Sequence, residues 1–424
     1  MIVTMSVRLV AILRMLAGCA QNRSEERSSP RSALIPPQIK DYGLGIPACL
    51  VKTSNINIDL PVELVKETNT LTKAPLRLLI AASGTGGHLF PAIATAQQLD
   101  DCHIEWLGVP DRMETQLVSS LYPLHTIAVE GFQQRFGLGT VRILGGLLGA
   151  ILRVRRLLKQ GNFQGVFTTG GYIAAPAILA ARSLGLPVIL HESNVFPGKV
   201  TRWLSPFCTK VAIGFEATAD YLPRAKTVVA GTPVRSQFLT REPLNLPIPD
   251  NVPVILVMGG SQGAVAVNKL VRECAPAWFE AGAWVVHLTG NNDPDAESLQ
   301  HTQYISMPFY DNVAGLLQRA NLTISRSGAS AMTELAVTGM PSILIPFPYA
   351  ADNHQHFNAE VFAKAGAALL FPQNELTSDM LQSKVLHLLS DAEYLAKMSK
   401  SAHQLAVTDS TERLANLVRE LLSP

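Results

Sequence analysis

The sequence predicts an α/β protein made of two Rossmann-like, doubly wound parallel-sheet domains that face a cleft. Short runs rich in valine, isoleucine and leucine alternate with helical stretches, as in parallel sheets covered on both faces. A proline-rich stretch interrupts this alternation, which then starts again. Each half begins alike, with an apolar strand, a glycine-rich turn and a helix. Because such folds bind ligands at the carboxyl ends of their strands, we expect the functional site in the cleft.

The first half contains five predicted strands, separated by helical stretches. The strands are LRLLIAA (76–82), HIEWLG (103–108), GVFTTG (165–170), PVILHE (187–192) and KVAIG (210–214). The predicted helices include Pro91–Leu99, Leu144–Leu158 and Ala174–Leu184.

The second half repeats the pattern. Its predicted strands are PVILVMGG (253–260), AWVVHLTG (283–290), LTISRSG (322–328) and PSILIPF (341–347). One predicted helix covers Val265–Ala275, and a last one covers roughly Ser410–Leu422.

A length of 424 residues suggests two domains. Residues 1–74 are predicted to be a disordered or non-homologous extension, because they include a polar stretch rich in serine and proline. The predicted domains are 75–235 and 253–408, joined by a linker over 236–252. A final helix occupies 409–424, and the sequence leaves open whether it packs back on the first domain.

The composition excludes several classes of function. A net charge of +2 gives no indication of nucleic-acid binding, and five scattered cysteines argue against a disulfide framework or a zinc site. The segment MSVRLVAILRMLAGCAQ (5–21) resembles a lipoprotein signal, but Arg14 interrupts its apolar core. We therefore favour an N-terminal extension over an export signal. No later segment has the ~20 uninterrupted apolar residues of a membrane span.

The first glycine-rich turn, ASGTGGHLFPA (82–92), joins a predicted strand to a predicted helix. Bare backbone N–H groups and a helix N-terminus favour an anion there. A dinucleotide site is one alternative, although Leu89 stands where the third glycine belongs and Glu105 lies inside a strand. His88 is a candidate general base for a sugar hydroxyl, because imidazole accepts a proton near pH 7. The alternative role for His88 is a helix cap or a phosphate contact.

Three segments of the second half also suggest ligand binding. The turn GGSQGA (259–264) offers Ser261 and backbone donors that suit a diphosphate. In RSGASAMTEL (326–335), Glu334 can accept hydrogen bonds from the hydroxyls of a ribose. The polar density of PYAADNHQHFNA (348–359) is typical of sugar recognition, and its two histidines lack a third ligand for zinc. Each segment has a structural alternative, as a plain strand–helix turn or a solvated helix.

Residues 131–159 combine apolar residues with cations. Phe132 and Phe136 lie near its start, and Arg153, Arg155 and Arg156 near its end. Such a stretch can lie on an anionic lipid surface. The alternative is a buried helix with a basic outer face.

Seven motifs follow one another along the chain, namely GTGGH, TGGY, HESN, GTPVR, GGSQGA, RSGA with TEL, and DNHQHFNA. In this order and at these separations they resemble the MurG family, the UDP-N-acetylglucosamine–lipid I N-acetylglucosaminyltransferases of bacterial peptidoglycan synthesis. The resemblance covers about residues 76–422. Ser83 replaces the first glycine of the family's GGTGGH pattern, at a strand end where the change leaves the turn intact.

The resemblance implies a GT-B fold whose C-terminal domain binds most of the donor, UDP-N-acetylglucosamine (UDP-GlcNAc). It implies an inverting transfer of GlcNAc to the 4-hydroxyl of MurNAc in undecaprenyl-diphosphate-MurNAc-pentapeptide (lipid I). The product is lipid II, needed for cell-wall synthesis, cell shape and division. His88 is the implied catalytic base, or orients the group that is. The implied donor contacts are Thr85, Gly86, Gly87, Asn194, Arg235, Ser261, Tyr310, Ala329, Ser330, Ala331, Met332, Thr333, Glu334 and Gln355, and the acceptor-side candidates are Tyr172 and Glu192.

The resemblance also implies that no cofactor and no essential metal are needed. Backbone N–H groups and helix dipoles of the glycine turns, with Arg235, would stabilise the leaving diphosphate. A lipid acceptor is met at the cytoplasmic face of the bacterial plasma membrane. We therefore expect a peripheral membrane protein that binds anionic inner-leaflet lipids through residues 131–159.

Other functions stay open on the residues alone. One is a GT-B transferase that acts on another lipid acceptor, such as diacylglycerol. A UDP-GlcNAc 2-epimerase shares the fold but needs no lipid acceptor, and a non-catalytic sugar-nucleotide binder and a dehydrogenase complete the alternatives. The first-domain motifs GTGGH and HESN favour the muramyl acceptor.

Overall fold

The computed structural model of the chain describes residues 75–84, 86–129, 138–260 and 263–422, without the side chains of 138–144. The predicted extension over 1–74 lies outside the described residues. Apart from 138–140, the described residues belong to one compact unit, which contains two parallel sheets.

The first sheet contains seven strands, all parallel to their neighbours. They are β1 (Leu76–Ala81), β2 (Cys102–Gly108), β3 (Leu124–Thr126), β4 (Gly165–Thr168), β5 (Val188–Glu192), β6 (Lys210–Ile213) and β7 (Thr227–Val229). Their order across the sheet is β3-β2-β1-β4-β5-β6-β7. The chain therefore starts in the middle of the sheet and builds outward twice, which is the doubly wound topology.

Helices cover both faces of this sheet. They are α1 (Gly86–Gln97), α2 (Glu114–Leu117), α3 (Leu138–Gln160), α4 (Ala174–Ser183) and α5 (Lys199–Leu204). Successive residues of β1 point to opposite faces, as the pleat of a strand requires. Leu79 packs in a core with α3 and α4, whereas Leu78 and Ile80 pack in a core with α1.

The second sheet contains six parallel strands, namely β8 (Val254–Met258), β9 (Trp284–Leu288), β10 (Tyr304–Met307), β11 (Leu322–Ser325), β12 (Ser342–Leu344) and β13 (Ala368–Leu370). Their order across the sheet is β10-β9-β8-β11-β12-β13. The helices that follow these strands in the chain are α6 (Val265–Glu280), α7 (Val313–Arg319), α8 (Ala329–Val337), α9 (His354–Lys364), α10 (Ser378–Ser390) and α11 (Ala392–Gln404). Between the sheets, residues 236–252 contain one short 3-10 turn at Ser236–Phe238.

The last helix, α12 (Ser410–Leu422), packs against the first sheet although it follows the second one in the chain. Leu414 and Val418 are fully buried in the core that contains Leu78 and α1. The Arg419 guanidinium binds both carboxylate oxygens of Asp101, at 2.8 to 3.0 Å. The chain therefore crosses between the two sheets twice.

The predicted fold class is confirmed, and the differences are four short strands that were not predicted and the ends of three helices. Four strands are absent from the sequence prediction, namely β3, β7, β10 and β13, because runs of three or four residues carry no clear periodicity. The predicted starts of α1 at residue 91 and of α3 at residue 144 are too late, since glycines mask the beginning of both helices. The predicted end of α6 at Ala275 is too early. The helix continues through Pro276 because Trp278 and Phe279 are buried beyond it.

Candidate active site

The first glycine-rich turn leaves the carboxyl end of β1 and enters α1 directly. Gly84 adopts a φ of +109°, in the region that favours glycine, and α1 already begins at Gly86. Thr85, a predicted donor contact, lies outside the described residues. Gly86 and Gly87 form the first turn of the helix, so their N–H groups have no partner from a preceding helical turn. The turn can therefore present backbone donors to an anion.

His88 follows these glycines and is half-buried against the loop after β4. Its Nδ1 lies 2.6 Å from the carbonyl oxygen of Thr169, and the Thr169 hydroxyl donates to the His88 carbonyl at 2.9 Å. A carbonyl oxygen only accepts, so Nδ1 carries a proton, and in the neutral imidazole the lone pair is therefore on Nε2. This is the tautomer that a general base needs.

The TGGY loop forms the wall beside this imidazole. Gly170 and Gly171 have φ values of +91° and +73°. A Cβ atom at Gly171 would lie 4.0 Å from Nε2 of His88, so the loop approaches the ring closely. Tyr172, an acceptor-side candidate, follows with 45% of its surface exposed. The structure thus brings Tyr172 and His88 to the same edge of the first sheet.

Glu114 is a functional candidate that the sequence analysis missed. Its side chain is fully buried, and its carboxylate accepts hydrogen bonds from the backbone N–H groups of Val109 at 2.8 Å and Gly84 at 3.3 Å. A buried carboxylate thus ties the first glycine turn to the end of β2. No sequence signal marks Glu114, because it lies in a four-residue helix outside every motif.

Glu192 and Asn194 form a closed network after β5. One carboxylate oxygen of Glu192 accepts from the backbone N–H and from Nδ2 of Asn194, both at 3.1 Å, and the other accepts from the Gly198 N–H at 3.1 Å. Glu192 is only 5% exposed. It therefore shapes the loop that presents Asn194, the predicted donor contact.

The second glycine-rich turn leaves the carboxyl end of β8. Ser261, the predicted contact in this turn, lies outside the described residues. Gly260 and Gly263 have φ values of +78° and +72°, and the Gly263 N–H donates to the Gly260 carbonyl at 2.9 Å. Helix α6 begins two residues later at Val265. Like the first turn, this one directs a helix N-terminus toward the cleft edge of its sheet.

Glu334 lies on α8, at the carboxyl end of β11. The Nη2 atom of Arg235 lies 3.6 Å from Oε1 of Glu334. The side chains of Glu334 and Arg235 are 21% and 44% exposed. Burial raises the pKa of Glu334 to about 7, although Arg235 opposes this shift. The structure therefore brings together two predicted donor contacts that are far apart in the sequence.

The other predicted contacts of α8 surround its first two turns. Met332 is fully buried in the core that contains Leu256 of β8 and Leu344 of β12, so only its backbone can meet a ligand. The remaining positions are partly exposed, namely Ala329, Ser330, Ala331 and Thr333. Tyr310 is half-buried just after β10, at the same edge of the sheet.

Arg326 is a buried cation beneath this edge. Its guanidinium donates to the carbonyl oxygens of Ile345 at 2.9 Å and Pro346 at 3.0 Å and to Oε1 of Gln373 at 2.6 Å. Burial lowers its pKa to about 10. Arg326 thus holds the end of β12 in place.

Part of the polar segment 348–359, which the sequence predicts for sugar recognition, contacts the first domain. Asn358 is fully buried. Its Nδ2 donates to Oδ1 of Asn194 at 3.1 Å, and its Oδ1 accepts from the Val195 N–H at 2.9 Å. Asp352 likewise pairs with Arg202 at 2.9 Å. These residues couple the two halves of the cleft.

Gln355 keeps part of its side chain free for a ligand. Its Oε1 accepts from the Phe347 N–H at 2.9 Å, and its backbone carbonyl accepts from the Ser327 hydroxyl at 2.7 Å. These bonds orient the amide so that Nε2 remains a donor. The predicted donor contact at Gln355 therefore sits on a fixed support.

Helix α3 carries the described part of the basic stretch. Val154 and Leu158 are buried, whereas Leu148 and Leu152 are 50% and 53% exposed. Among the described side chains of the helix, the exposed cations are Arg153, Arg156 and Lys159. The side chain of Arg155 instead donates to the Ser183 hydroxyl. The predicted contributors Phe132 and Phe136 lie outside the described residues.

The described residues contain neither a membrane-spanning helix nor a cluster of metal-binding side chains. No helix in the described ranges is both long and apolar enough to cross a bilayer. Nor do three histidine, cysteine, aspartate or glutamate side chains converge on a metal-binding geometry anywhere in those ranges.

Known proteins resemble the chain over almost all of its described length. Residues 78–213 match the glycosyltransferase family 28 N-terminal domain, and residues 254–414 match the glycosyltransferase family 28 C-terminal domain. A relative from Nostoc punctiforme is 67% identical over 355 residues, which is 83% of this chain and 99% of the relative. A relative from Trichodesmium erythraeum is 65% identical over 84% of this chain and 96% of its own length. Both are named UDP-N-acetylglucosamine–N-acetylmuramyl-(pentapeptide) pyrophosphoryl-undecaprenol N-acetylglucosamine transferase.

Solved structures agree. MurG of Acinetobacter baumannii superposes with a TM-score of 0.67 and 29% identity, over 82% of this chain and 100% of that one. A putative UDP-N-acetylglucosamine 2-epimerase from Listeria monocytogenes has a TM-score of 0.61 over 82% of this chain and 96% of its own, but at 12% identity it shows only a shared fold. The resemblance seen in the seven motifs is thereby confirmed. The chain belongs to glycosyltransferase family 28 and, within it, to the MurG family of N-acetylglucosaminyltransferases.

Proposed function

We propose that this chain transfers GlcNAc from UDP-GlcNAc to the 4-hydroxyl of MurNAc in lipid I and so makes lipid II. The observation that carries the proposal is the tautomer of His88. Its Nδ1 proton is committed to Thr169, and its Nε2 lone pair lies at the carboxyl edge of the first sheet. Family membership supplies the substrates, and this imidazole supplies a group that can take the proton of the attacking hydroxyl.

The reaction is a single displacement with inversion. The acceptor oxygen attacks the anomeric carbon while its proton passes to Nε2 of His88. The bond between that carbon and the diphosphate oxygen breaks on the opposite face, and UDP leaves. General base catalysis of this kind contributes about 10²–10⁴-fold to a rate.

The second sheet supplies the donor half of the site. Glu334 accepts hydrogen bonds from the ribose, Tyr310 faces the uracil, and Gln355 donates to the sugar. The diphosphate lies at the helix N-termini of the glycine turns, where oriented N–H groups and Arg235 stabilise the charge that develops on leaving. We expect this arrangement to perform the charge stabilisation that a divalent ion performs in other transferases, so activity should survive chelation with EDTA.

Incubation with labelled UDP-GlcNAc and a soluble lipid I analogue tests the proposed reaction. We expect a β-linked disaccharide product that appears only when both substrates are present. Diacylglycerol should not replace the lipid I analogue, and UDP-GlcNAc alone should give no epimer. Formation of a 2-epimer without acceptor, or bound UDP-GlcNAc with no lipid II product, would overturn the proposal.

The exposed face of α3 supports a peripheral position at the cytoplasmic face of the plasma membrane. Leu148 and Leu152 lie beside Arg153 and Arg156, a combination that suits anionic lipid head groups. Sedimentation with phosphatidylglycerol vesicles tests this. We expect the double variant Arg153→Glu with Arg156→Glu to bind several-fold more weakly.

A matched control changes the same charge elsewhere. Lys384→Glu with Lys397→Glu alters two exposed lysines on α10 and α11 of the second domain. Vesicle binding of this control should stay unchanged. Equal loss in both double variants would show that net charge, rather than the face of α3, governs binding.

A further inference from the structure

A buried polar network lies behind the second glycine turn, and no step of the proposed reaction uses it. Asn268 on α6 and His287 on β9 are fully buried, and Tyr304 on β10 is 8% exposed. The network ends in an ion pair between Arg272 and Asp293, whose nearest atoms lie 2.7 Å apart and whose side chains are 8% and 0% exposed. Such a group of polar side chains in a core is costly unless every member is bonded.

The bonding partners of Asn268 determine where the protons lie. Its Nδ2 donates to the carbonyl of Thr289 at 2.8 Å and to the carboxylate of Asp293 at 2.7 Å. Its Oδ1 must therefore accept, and it lies 3.0 Å from Nε2 of His287. Nε2 thus carries the imidazole proton, and Nδ1 accepts from the hydroxyl of Tyr304 at 2.7 Å. Every donor in this chain of bonds meets an acceptor.

The charges in the network reinforce this single arrangement. Burial and the positive charge of Arg272 lower the pKa of His287 to about 3, so the imidazole is neutral near pH 7. Burial alone would raise the pKa of Asp293, but hydrogen bonds from Arg272 and Asn268 outweigh it and hold the pKa below its usual value. The network therefore keeps one protonation pattern across the pH range of an assay.

The network approaches the second glycine turn through the carbonyl oxygen of Thr289, which accepts from Nδ2 of Asn268. A Cβ atom at Gly263 would lie 2.5 Å from this oxygen, so the turn rests directly on it. Asn268 holds the same carbonyl from below and also lies in the first turn of α6. One amide thus fixes both the support of the turn and the helix that the turn enters.

We propose that Asn268 and His287 are positioning residues that hold the second glycine turn and the N-terminus of α6 in the geometry that binds the donor diphosphate. The inference rests on the proposed function. Backbone N–H groups stabilise a diphosphate only when they already point at it, and a displacement of about 1 Å can cost a large factor in rate. Neither residue touches the donor itself.

Titration with UDP tests the proposal directly. We expect Asn268→Ala and Asn268→Asp to weaken UDP binding about tenfold, because the backbone N–H groups of the turn lose the alignment that binds the diphosphate. The KM for UDP-GlcNAc should rise by a similar factor, while the KM for the lipid I analogue stays unchanged. A merely structural role would lower the melting temperature and leave the UDP affinity of the folded protein alone.

Ser342→Ala is the matched control. Ser342 is a fully buried serine on β12 of the same sheet, and its hydroxyl has no hydrogen-bond partner among the described residues. Tyr304→Phe is a milder test for the case in which the Asn268 variants do not fold. It removes one hydroxyl, and we expect UDP binding to weaken about threefold. Folded network variants that bind UDP as tightly as Ser342→Ala would overturn the inference.

The same measurements separate this inference from the proposed function. If the unaltered protein binds UDP but makes no lipid II, the acceptor assignment fails while a weaker UDP affinity in the Asn268 variants still supports the network. If the unaltered protein makes lipid II and the variants keep their UDP affinity, the inference fails alone.

Discussion

The two glycine-rich turns occupy equivalent places in the two sheets, but different groups hold them. The carboxylate of Glu114 and the carbonyl of Thr169 support the first turn, and the first turn carries an imidazole. The carbonyl of Thr289, held by Asn268, supports the second. Its described residues are Gly259, Gly260, Gly263 and Ala264, and none of them has an ionisable side chain. The comparison indicates that damage to the first turn should appear in turnover, and damage to the second in donor affinity.

The largest expected effect tests the first turn. His88→Ala should lower kcat about 10²–10⁴-fold, because it removes the general base. The UDP affinity should stay within about twofold of the unaltered protein, since the second sheet binds most of the donor. Steady-state kinetics and UDP titration measure the two quantities. His103→Ala, a change at an exposed histidine of the same sheet, serves as the control.

Near-normal turnover in His88→Ala would remove His88 from the role of base. A large loss of UDP affinity in the same variant would contradict the expectation that the first turn governs turnover and the second governs donor affinity.

The next largest effect should come from Glu114, the carboxylate that binds the first turn. In Glu114→Gln, the amide oxygen can still accept from one of the two backbone N–H groups, of Val109 or of Gly84. The amide NH₂ group faces the other N–H, which therefore loses its hydrogen-bond acceptor. We expect kcat to fall about tenfold and the melting temperature to drop by several degrees. Glu105→Gln changes a carboxylate on the neighbouring strand that binds Arg77 and two histidines. It should leave kcat unchanged, and equal losses in both variants would show that Glu114 has no special link to catalysis.

A smaller, pH-dependent effect belongs to the donor half. Glu334 has a pKa of about 7 in the folded chain, above the ~4.3 of an unfolded glutamate. Between these values the folded state binds more protons than the unfolded state, so stability falls as pH rises. The contribution of Glu334 to the free energy of unfolding is fully present below about pH 4.3 and is lost as pH rises through about 7. Urea unfolding of the unaltered protein and of Glu334→Gln from pH 5 to 8 should show this slope only in the former.

Donor binding should show the opposite dependence on pH. A ribose hydroxyl donates better to the ionised carboxylate, so the KM for UDP-GlcNAc should fall as pH rises through about 7. Glu334→Gln should raise this KM about fivefold at pH 8 and remove its pH dependence. A KM that falls equally in both proteins would assign the titration to another group.

The smallest expected effect concerns the contact that joins the two halves. The partly exposed pair of Arg202 and Asp352 should be worth about 0.5–1 kcal/mol. Asp352→Asn suits the backbone at this position, where φ is +50°, because asparagine tolerates the left-handed region. A double-mutant cycle with Arg202→Gln should give a coupling energy of this size in kcat/KM. Additive effects would show that the pair does not couple the two halves.

The sequence predicted those parts of the fold that produce a periodic pattern of apolar residues. Two buried parallel sheets, their order in the chain and the turns at their carboxyl ends follow from apolar runs and glycines. The candidate site residues with local motifs, such as His88 and Glu334, were found for the same reason. Their roles stay predictions, and the geometry adds a reason for His88, because only the structure shows that Nδ1 is committed to Thr169.

The supports of the site could not be predicted in this way. Glu114 stands 30 residues from the turn it holds, and Asn268 stands 19 residues from His287. Contacts of this kind depend on which side chains the folded core brings together, and no spacing along the chain encodes them. The contacts between the polar segment 348–359 and the first domain could not be predicted either, because nothing in the sequence shows that Asp352 and Asn358 meet another domain.

The position of α12 has a consequence for how the chain folds during synthesis. The core of the first sheet contains Leu414 and Val418, and Leu422 approaches Gly165 so closely that a Cβ atom there would lie 2.4 Å from its methyl carbon. During synthesis, residues 75–235 leave the ribosome before the residues of α12 have been added to the chain. The first half therefore exposes an apolar groove until α12 is synthesised and packs into it. A fragment that ends at the linker should aggregate unless the α12 peptide is added.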